Sequence, residues 1–413
     1  MITAEDMTKK KSSAAAMEME NRYGAHNYKP IPVVLERGEG VFVWDVEGKK
    51  YFDFLAGYSS LNQGHCHPAI IGTLREQSEK LTMTSRAFYN SVLGEYEKYI
   101  TEYFGYDKVL PMNTGAEGVE TALKLCRKWA YEKKGIQPDK AKIIVCEGNF
   151  HGRTIAAISL SSDPENRNNF GPFAPGFTII PFNDIAALEK AITEPGTAGF
   201  LIEPIQAERG IVVPDPGYLA RCKELCEKHG VLFIADEIQT GLCRTGRMLA
   251  CDHEDVRPDI LILGKALSGG TLPVSAVLAD DEIMLCIRPG EHGSTYGGNP
   301  LACRVAMAAL RVLKEENLSA KAEFLGDKLR NELSKIQSGM IETIRGKGLL
   351  NAIVIRPVNE KDAWALCLAL KDNGLLAKPT HGNIIRLAPP LIISEAQLYE
   401  CIDILKKTIL KFS

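Results

Sequence analysis

Short apolar runs alternate with longer stretches in which apolar residues recur at helical spacing, from about residue 62 to about residue 310. The clearest short runs predict buried strands at Lys142–Cys146, Gly199–Ile205, Val231–Ala235 and Ile260–Leu263. Strands that alternate with amphipathic helices predict an α/β fold, with a mainly parallel sheet covered by helices. Ligands of such sheets bind at the carboxyl ends of the strands, so functional residues are expected there.

The hydrophobic pattern divides the chain into four segments. Residues 1–20 are small, charged and unpatterned, which is typical of a mobile or partly helical N-terminal arm that ends near Asn21. Residues 21–61 contain two strand-like runs around Glu47 and Gly48, which predict a hairpin and the N-terminal segment of a small domain. Residues 62–310 form the predicted large domain, and residues 311–413 a C-terminal small α+β domain.

The C-terminal segment has a mixed pattern of its own. A long helix is predicted to about Lys335, and a last helix from about Ser394. Between them, apolar runs at Leu349–Ile355 and Ile384–Leu387 predict strands separated by a further helix. This order of elements predicts a separate α+β cap on the larger sheet.

Composition favours a small-molecule partner. The formal net charge is -3, with acidic and basic residues mixed along the chain, which argues against nucleic acid or an anionic membrane as partner. No apolar run approaches the roughly 20 residues that span a bilayer. The 11 cysteines are scattered, odd in number and mostly set in apolar segments, which is typical of reduced intracellular thiols.

The composition of the N-terminus indicates the cellular compartment. Three lysines and four acidic residues share the first twenty positions, which suits neither a signal nor a transit peptide, so a cytoplasmic location is expected. The mitochondrial matrix is the alternative if a presequence has been removed.

Two residue groupings could suggest a metal site. Cys222 and Cys226 share a helix face without a second ligand pair, and the adjacent residues His65 to His67 cannot easily aim at one ion. No metal is predicted.

A lysine and an aspartate follow two of the predicted strands. Lys265 comes directly after Ile260–Leu263 and Gly264, where its charge must be paired or suppressed by desolvation, as a Schiff-base lysine requires. Asp236, one strand away, suits the ring nitrogen of pyridoxal 5'-phosphate, because a negative partner keeps that nitrogen protonated. A buried salt bridge between Lys265 and Asp236 is the alternative reading.

Two loops after strands add candidate ligand contacts. Gly115 and Ala116 open an amphipathic helix, where free backbone N–H groups could hold a phosphate, although a plain helix cap looks the same. Phe150 could stack on a ring and Arg153 bind a carboxylate, or both could belong to a surface loop. A nucleotide-binding P-loop at Lys265 is excluded, because Asp259 stands where the first glycine is required.

Motifs along most of the chain resemble class III (subgroup II) aminotransferases. The matching segments are Asn113–Glu117, Asn149–Thr154, Glu203–Gln206, Ala235–Gly241, Leu263–Gly270 and His292–Pro300. Further segments are similar to the branch that acts on ornithine: Tyr23–Tyr28, Asn62–Pro68, Thr84–Tyr89 and Pro289–Tyr296. The resemblance covers residues 21 to 412 and implies the fold type I architecture of pyridoxal-phosphate transferases and a homodimer with active sites at the subunit interface.

The resemblance also implies a role for each cofactor-binding residue. Lys265 would form the Schiff base and shuttle the proton, Asp236 would pair with the ring nitrogen, and Gln239 would bind the ring hydroxyl. Phe150 would stack on the ring, the backbone of Gly115 and Ala116 would hold the phosphate, and Ser294 and Thr295 would complete the phosphate site, Thr295 from the neighbouring subunit.

The implied substrates are L-ornithine and 2-oxoglutarate, which one site must accept in turn. Tyr28 and Arg153 would hold the α-carboxylate of ornithine while Glu208 masks Arg386 by a salt bridge. With 2-oxoglutarate, the distal carboxylate would take Arg153 and the α-carboxylate would release Arg386 from Glu208. Tyr58 would keep the α-amine of ornithine from reacting.

The sequence departs from the family pattern at four positions, and alternatives remain open. Ala207 and Arg209 replace the usual Gly and Ala, so that an extra positive charge adjoins Glu208; Cys243 replaces a small residue; and His151 is Trp in some ornithine enzymes. N-acetylornithine or 4-aminobutyrate aminotransferases are the near alternatives. An isomerase of the glutamate-semialdehyde aminomutase type is a further one, which would not need the pairing of Glu208 with Arg386.

Overall fold

Three β-sheets organise residues 12–357 and 361–412, the part of the chain described by this computed structural model. The largest has seven strands in the order β4-β10-β9-β8-β7-β5-β6, and its β10 runs antiparallel to both neighbours while the remaining pairs are parallel. In spatial order the strands are β4 (Lys108–Met112), β10 (Ser275–Ala279), β9 (Ile260–Leu263), β8 (Leu232–Asp236), β7 (Thr197–Ile202), β5 (Lys142–Cys146) and β6 (Phe177–Ile180).

Two further sheets have four strands each. The first contains the predicted hairpin and consists of β1 (Leu35–Glu39), β2 (Phe42–Asp45), β3 (Lys50–Asp53) and β13 (Leu375–Leu376). Its last strand comes from the C-terminal part of the chain and pairs with β3 in parallel. The second consists of β11 (Ile341–Lys347), β12 (Leu350–Ile355), β15 (Ile384–Leu387) and β14 (Lys378–Thr380).

Helices cover these sheets. In chain order they are α1 (Ser13–Tyr23), α2 (Ala56–Ser59, a single left-handed turn), α3 (Pro68–Ser78), α4 (Leu93–Phe104), α5 (Gly115–Glu132), α6 (Ile155–Ser159), α7 (Pro164–Arg167), α8 (Ile185–Ile192), α9 (Tyr218–Lys228), α10 (Asp281–Met284), α11 (Pro300–Glu315), α12 (Leu318–Ser334), α13 (Ala363–Asp372) and α14 (Glu395–Phe412). Short 3₁₀ helices lie at Cys251–Glu254 and Lys265–Ser268. None of these helices combines the length and apolar content needed to cross a bilayer.

The predicted α/β fold is confirmed, and the clearest strands lie where the apolar runs placed them. The run from Gly199 to Ile205 was too long, since β7 ends at Ile202. Pro204 follows two residues later and has no N–H to donate to a sheet ladder. The hairpin around Gly48 is present, with Val43 opposite Tyr51.

Two helix predictions need correction. The single helix predicted to about Lys335 is two helices, α11 and α12, broken at Asn317, whose φ of +50° lies in the left-handed region. The N-terminal arm was predicted to end near Asn21, yet α1 runs through that residue to Tyr23, capped by the Ser12 side chain. Residues 1–11 of the predicted arm lie outside the described residues.

A fully buried arginine after β8 joins Asn62, at the start of the predicted large domain, to two stretches of the C-terminal segment. Arg244 Nε and Nη2 donate to Asn62 Oδ1 at 3.1 and 2.5 Å, and Nη1 donates to the carbonyls of Leu349 and Pro389 at 3.1 and 2.7 Å. Burial lowers the pKa of Arg244 to about 9, with Asp53 opposing the shift. One guanidinium therefore satisfies acceptors from three parts of the chain.

Replacing this arginine should destabilise the fold. Arg244→Met keeps an apolar stem but leaves the Asn62 oxygen and two carbonyls unpaired, and each buried unpaired group costs about 1–3 kcal/mol. We expect a loss of at least about 3 kcal/mol in the free energy of unfolding, measured by urea denaturation. The matched control is Arg247→Met, whose half-exposed side chain pairs with Glu323 at 3.6 Å and should cost less than about 0.5 kcal/mol. Equal losses in the two variants would contradict this role.

Candidate active site

Four strand ends of the large sheet meet at one cavity of about 200 Å³. Asp236 is the last residue of β8, Lys265 follows β9, Glu203 follows β7 and His151 lies in the loop after β5. This central cavity is lined by Gly115, Ala116, Phe150, His151, Gly152, Glu203, Asp236, Ile238, Gln239, Thr240 and Lys265. The predicted cofactor-binding residues on β8, on β9 and at the start of α5 thus lie together.

Lys265 is the nucleophile candidate in this cavity. It has a φ of +43°, which places the side chain of a non-glycine residue in the left-handed region at the start of a 3₁₀ turn. Burial lowers the pKa of the Lys265 ammonium to about 8; Arg386 adds to the shift, while Glu208, Asp236 and Glu203 oppose it. A larger share of neutral amine is therefore present near neutral pH than for an exposed lysine.

Asp236 does not pair with Lys265 in a direct salt bridge within the described residues. Its Oδ2 accepts from His151 Nδ1 at 2.7 Å, and its Oδ1 accepts from the backbone N–H of Ile238 at 3.2 Å. The Asp236 residue is 5% exposed and the His151 side chain is fully buried. The alternative of a structural salt bridge between Lys265 and Asp236 is thereby excluded.

A second buried carboxyl group lies beside this pair. Glu203 Oε1 accepts from the backbone N–H of Phe150 at 2.8 Å. Burial raises the pKa of Glu203 to about 8; the charge of Asp236 adds to the shift and His151 opposes it. Glu203 is therefore mostly a neutral acid at pH 7, which limits the buried negative charge around the cavity.

The start of α5 offers an anion site with room for a ligand. Thr114 caps the helix by accepting from the N–H of Glu117, whose side chain in turn accepts from the N–H of Thr114. The first N–H groups of a helix have no partner within it and point out of its end. Gly115 at this end has no side chain, and a Cβ there would lie 3.0 Å from Ile238 Cδ1. Glycine thus keeps the approach to these N–H groups open.

Glu208 and Arg386 form an ion pair next to the central cavity. Arg386 Nη1 donates to Glu208 Oε1 at 2.9 Å, and Nη2 donates to Glu208 Oε2 and, at 3.3 Å, to Thr380 Oγ1. Burial alone would raise the pKa of Glu208, but Arg386, with smaller contributions from Lys265 and Gln239, lowers it to about 2. Arg209 makes no ion pair with Glu208 in the described structure; its Nη1 lies 3.3 Å from the Glu147 carbonyl.

Tyr58 reaches this ion pair from a strained turn. Residues Ala56 to Ser59 all have positive φ, between 46° and 70°, which costs roughly 1–2 kcal/mol for each residue other than glycine. The backbone N–H groups of Leu55 and Ala56 donate to Asp53 Oδ1 at 2.9 and 2.8 Å and anchor the start of the turn. The Tyr58 ring centre lies 5.2 Å from the guanidinium carbon of Arg386.

The remaining predicted substrate and phosphate residues are more exposed. Arg153 Nη1 donates to Asn166 Oδ1 at 2.7 Å, and its guanidinium lies 5.6 Å from the Phe150 ring centre. Tyr28 is 66% exposed and shares no hydrogen bond with Arg153 among the described residues. Ser294 Oγ accepts from Asn113 Nδ2 at 2.7 Å, and Thr295 is exposed.

Two residues that line the central cavity, His151 and Glu203, have no role in the expectations drawn from the sequence. Both stand in motifs that follow predicted strands, and that position was the available signal. Their contacts to Asp236 and Phe150 join loops far apart in the sequence, so spacing alone does not reveal them.

Comparisons with known proteins identify the family and the relatives of this chain. The family described as "Aminotransferase class-III" matches residues 23–409. The mitochondrial ornithine aminotransferase of Rattus norvegicus is 63% identical over 401 residues, 97% of this chain and 91% of the rat chain. The structure of ornithine aminotransferase from Toxoplasma gondii, which has partial occupancy of PLP at its active site, superposes with a TM-score of 0.96 at 50% identity, covering 99% and 96% of the two chains. An acetylornithine aminotransferase from Elizabethkingia anophelis superposes with a TM-score of 0.90 at 60% identity, covering 97% and 100%.

The lowered pKa of Lys265 can be measured in the cofactor-free protein. Only a neutral amine attacks acetic anhydride, so acetylation of Lys265, followed by peptide mass spectrometry, should rise with pH around a midpoint near 8. In Glu208→Gln the midpoint should fall, because the Glu208 charge raises the Lys265 pKa. Glu189→Gln, which removes a half-exposed partner of Arg221, is the control and should leave the midpoint in place. A wild-type midpoint near 10.5 would show that burial does not act on this amine.

Proposed function

The chain belongs to the class III aminotransferase family, and we propose that it is an ornithine δ-aminotransferase. It transfers the δ-amino group of L-ornithine to 2-oxoglutarate, which gives L-glutamate and glutamate 5-semialdehyde, and the semialdehyde cyclises to pyrroline-5-carboxylate. The observation that carries this proposal is the ion pair of Glu208 with Arg386 beside Lys265. A site that accepts a diamino acid and a dicarboxylic acid in turn needs an arginine that can be masked and exposed.

The cofactor is pyridoxal 5'-phosphate, and the residues present fit it. The central cavity holds an amine with lowered pKa, a buried carboxylate and an open helix N-terminus, which match the aldehyde, the ring nitrogen and the phosphate of the cofactor. When bound, pyridoxal phosphate supplies an aldehyde that exchanges with amines and a ring that accepts the electrons of a breaking carbon–hydrogen bond.

The chain's own residues bind the cofactor and move the proton. At a pKa of about 8, roughly a tenth of Lys265 is neutral at pH 7, and its Nζ can attack a carbonyl and take up the proton that leaves the δ-carbon of ornithine. Asp236 would hold a positive charge on the ring nitrogen, and Gln239 would donate to the ring hydroxyl. The N–H groups of Gly115 and Ala116 would hold the phosphate, and the Phe150 ring would stack on the cofactor ring.

Substrate orientation follows from the arginines. Arg153 and Tyr28 hold the α-carboxylate of ornithine, which directs the δ-amine towards Lys265. Arg386 stays neutralised by Glu208 during that half-reaction, so the pocket presents no free cation to the incoming ammonium. With 2-oxoglutarate, Arg153 takes the distal carboxylate, and the α-carboxylate displaces Glu208 from Arg386.

Assembly as a homodimer and the compartment are further parts of this proposal. Phe88, Tyr89 and Tyr296 are large aromatic side chains with more than half of their surface exposed, in segments similar to the ornithine branch of the family. Large exposed aromatic side chains of this kind are enriched where proteins contact one another, which supports an interface at which Thr295 of the partner subunit reaches the phosphate site that Ser294 also helps to form. The compartment stays a prediction, with cytosol and mitochondrial matrix both open; the rat relative is named as mitochondrial.

A panel of amino donors tests the function. The protein with pyridoxal phosphate and 2-oxoglutarate should form glutamate and pyrroline-5-carboxylate from L-ornithine. We expect kcat/KM for ornithine to exceed that for N-acetylornithine and 4-aminobutyrate at least about tenfold. The reason is that ornithine carries an α-ammonium charge that the site binds and that the other two donors lack. Lys265→Ala is the control and should form no product. A preference for N-acetylornithine would move the assignment to that enzyme.

A second variant tests the masking of Arg386. Glu208→Gln keeps the size of the side chain but removes the charge that neutralises Arg386, so an α-carboxylate should compete for the free guanidinium. We expect the ratio of kcat/KM for glutamate to that for ornithine to rise at least about tenfold, which corresponds to about 1.4 kcal/mol. Glu189→Gln, which breaks a surface pair with Arg221 of equal chemistry, serves as the control. An unchanged ratio would rule out the masking.

A further inference from the structure

A buried histidine lies behind the carboxylate that faces the cofactor. His151 Nδ1 and Asp236 Oδ2 are 2.7 Å apart, and the histidine side chain is fully buried. The other ring nitrogen of His151, Nε2, is buried and has no hydrogen-bond partner among the described residues. His151 itself lines the central cavity.

We propose that His151 is a positioning residue that holds Asp236 as a carboxylate and fixes its orientation towards the ring nitrogen of pyridoxal phosphate. The proposal goes beyond the donor specificity proposed above and depends only on the cofactor. It would stand if the protein used another amine.

The hydrogen bonds around Asp236 support this role. Among the residues that the structure describes, two groups donate to Asp236: the backbone N–H of Ile238, at 3.2 Å, and His151. The 3.2 Å contact lies within the same turn, whereas His151 comes from the loop after β5. The side chain of His151 therefore determines which way the carboxylate is turned. A carboxylate oxygen can accept more than one hydrogen bond, so both oxygens keep capacity for a further donor.

The unpartnered Nε2 argues against a purely structural histidine. A buried polar atom without a partner costs about 1–3 kcal/mol, and a position that served packing alone would be filled at lower cost by an apolar ring. Retaining imidazole at this position is accounted for by its contact with Asp236.

The charges around His151 favour its protonated form. Burial alone lowers the pKa of His151, but the hydrogen bond to Asp236 and the charge of Asp236 outweigh it and raise the pKa above its ordinary value; the ionised fraction of Glu203 acts in the same direction. These are the two ionisable groups that face the imidazole from neighbouring strand ends. Arg153, on the same loop, turns to Asn166. Since Glu203 is mostly neutral at pH 7, the group amounts to one ion pair, in which the imidazolium keeps Asp236 ionised.

Two variants separate the hydrogen bond from the charge. His151→Asn retains an N–H donor near the position of Nδ1 but is always neutral, and His151→Phe retains the ring volume but has neither property. Each is titrated with pyridoxal phosphate and with its 1-deaza analogue, which lacks the ring nitrogen, and the dissociation constants are measured by fluorescence. Urea unfolding of each variant monitors the fold.

The analogue distinguishes positioning from packing. We expect His151→Phe to weaken binding of pyridoxal phosphate at least about tenfold and binding of the analogue less than about twofold, with His151→Asn in between for pyridoxal phosphate. The pH at which the absorbance of bound pyridoxal phosphate changes should also shift in His151→Phe. Equal weakening for both ligands, or an unchanged pH profile, would overturn the proposal. If His151→Phe does not fold, His151→Asn gives the same comparison.

Discussion

Charges held away from bulk water at the carboxyl ends of β5, β7, β8 and β9 constrain everything else in the site. An isolated buried charge is costly, and a protein avoids that cost by pairing it, hydrogen-bonding it or keeping it neutral. All three solutions are present: Glu208 is paired with Arg386, Asp236 is hydrogen-bonded to His151, and Glu203 stays mostly protonated. Lys265 is left with a lowered pKa, and this makes its amine available for chemistry.

The same edge of the sheet concentrates unfavourable backbone geometry. Lys265 has a positive φ, and so do the four residues of the turn that carries Tyr58. Such conformations persist only where surrounding contacts over-determine them. The backbone N–H groups anchored on Asp53 at one turn, and the buried Arg244 linking three parts of the chain nearby, provide that constraint. The rigid scaffold therefore holds the reactive lysine and the pocket wall in positions that the local sequence alone would not adopt.

These observations show what the sequence could and could not predict. The strand Ile260–Leu263, which is apolar throughout, was predicted with its exact bounds. The reason is that an unbroken apolar run indicates a strand buried on both faces. The break between α11 and α12 was missed, because the apolar residues keep helical spacing on both sides of Asn317, whose left-handed backbone ends the first helix. Lys265 and Asp236 could be singled out because polar residues at buried strand ends are conspicuous. The contact of His151 with Asp236 could not, since it depends on how the loop after β5 folds across the end of the intervening strand β7.

The charge at the α-nitrogen of the donor distinguishes the candidate substrates better than sequence identity to named relatives does. Relatives named for ornithine and for acetylornithine are 63% and 60% identical to this chain, a difference too small to rank them. The two donors share a δ-amine and an α-carboxylate and differ at the α-nitrogen, which is a cation in ornithine and a neutral amide in its acetyl derivative. An outer cavity of about 560 Å³ shares Phe150 with the central one and has room for an acetyl group, so volume does not exclude either donor.

Electrostatics in that outer cavity then decides the preference. Its walls carry the carboxylates of Glu147 and Asp163 and the guanidinium of Arg209, while the charge of Glu208 is already matched by Arg386. Arg209 lies along the Glu147 carbonyl and Gln206, which fixes its cation on one wall. Arg153 adds a second guanidinium, since it donates to the wall residue Asn166, and the α-carboxylate of a bound donor would neutralise it. The remaining two carboxylates against one guanidinium favour an α-ammonium over a neutral amide. The cation of Arg209, which the sequence places beside Glu208, therefore reduces this preference for ornithine without reversing it.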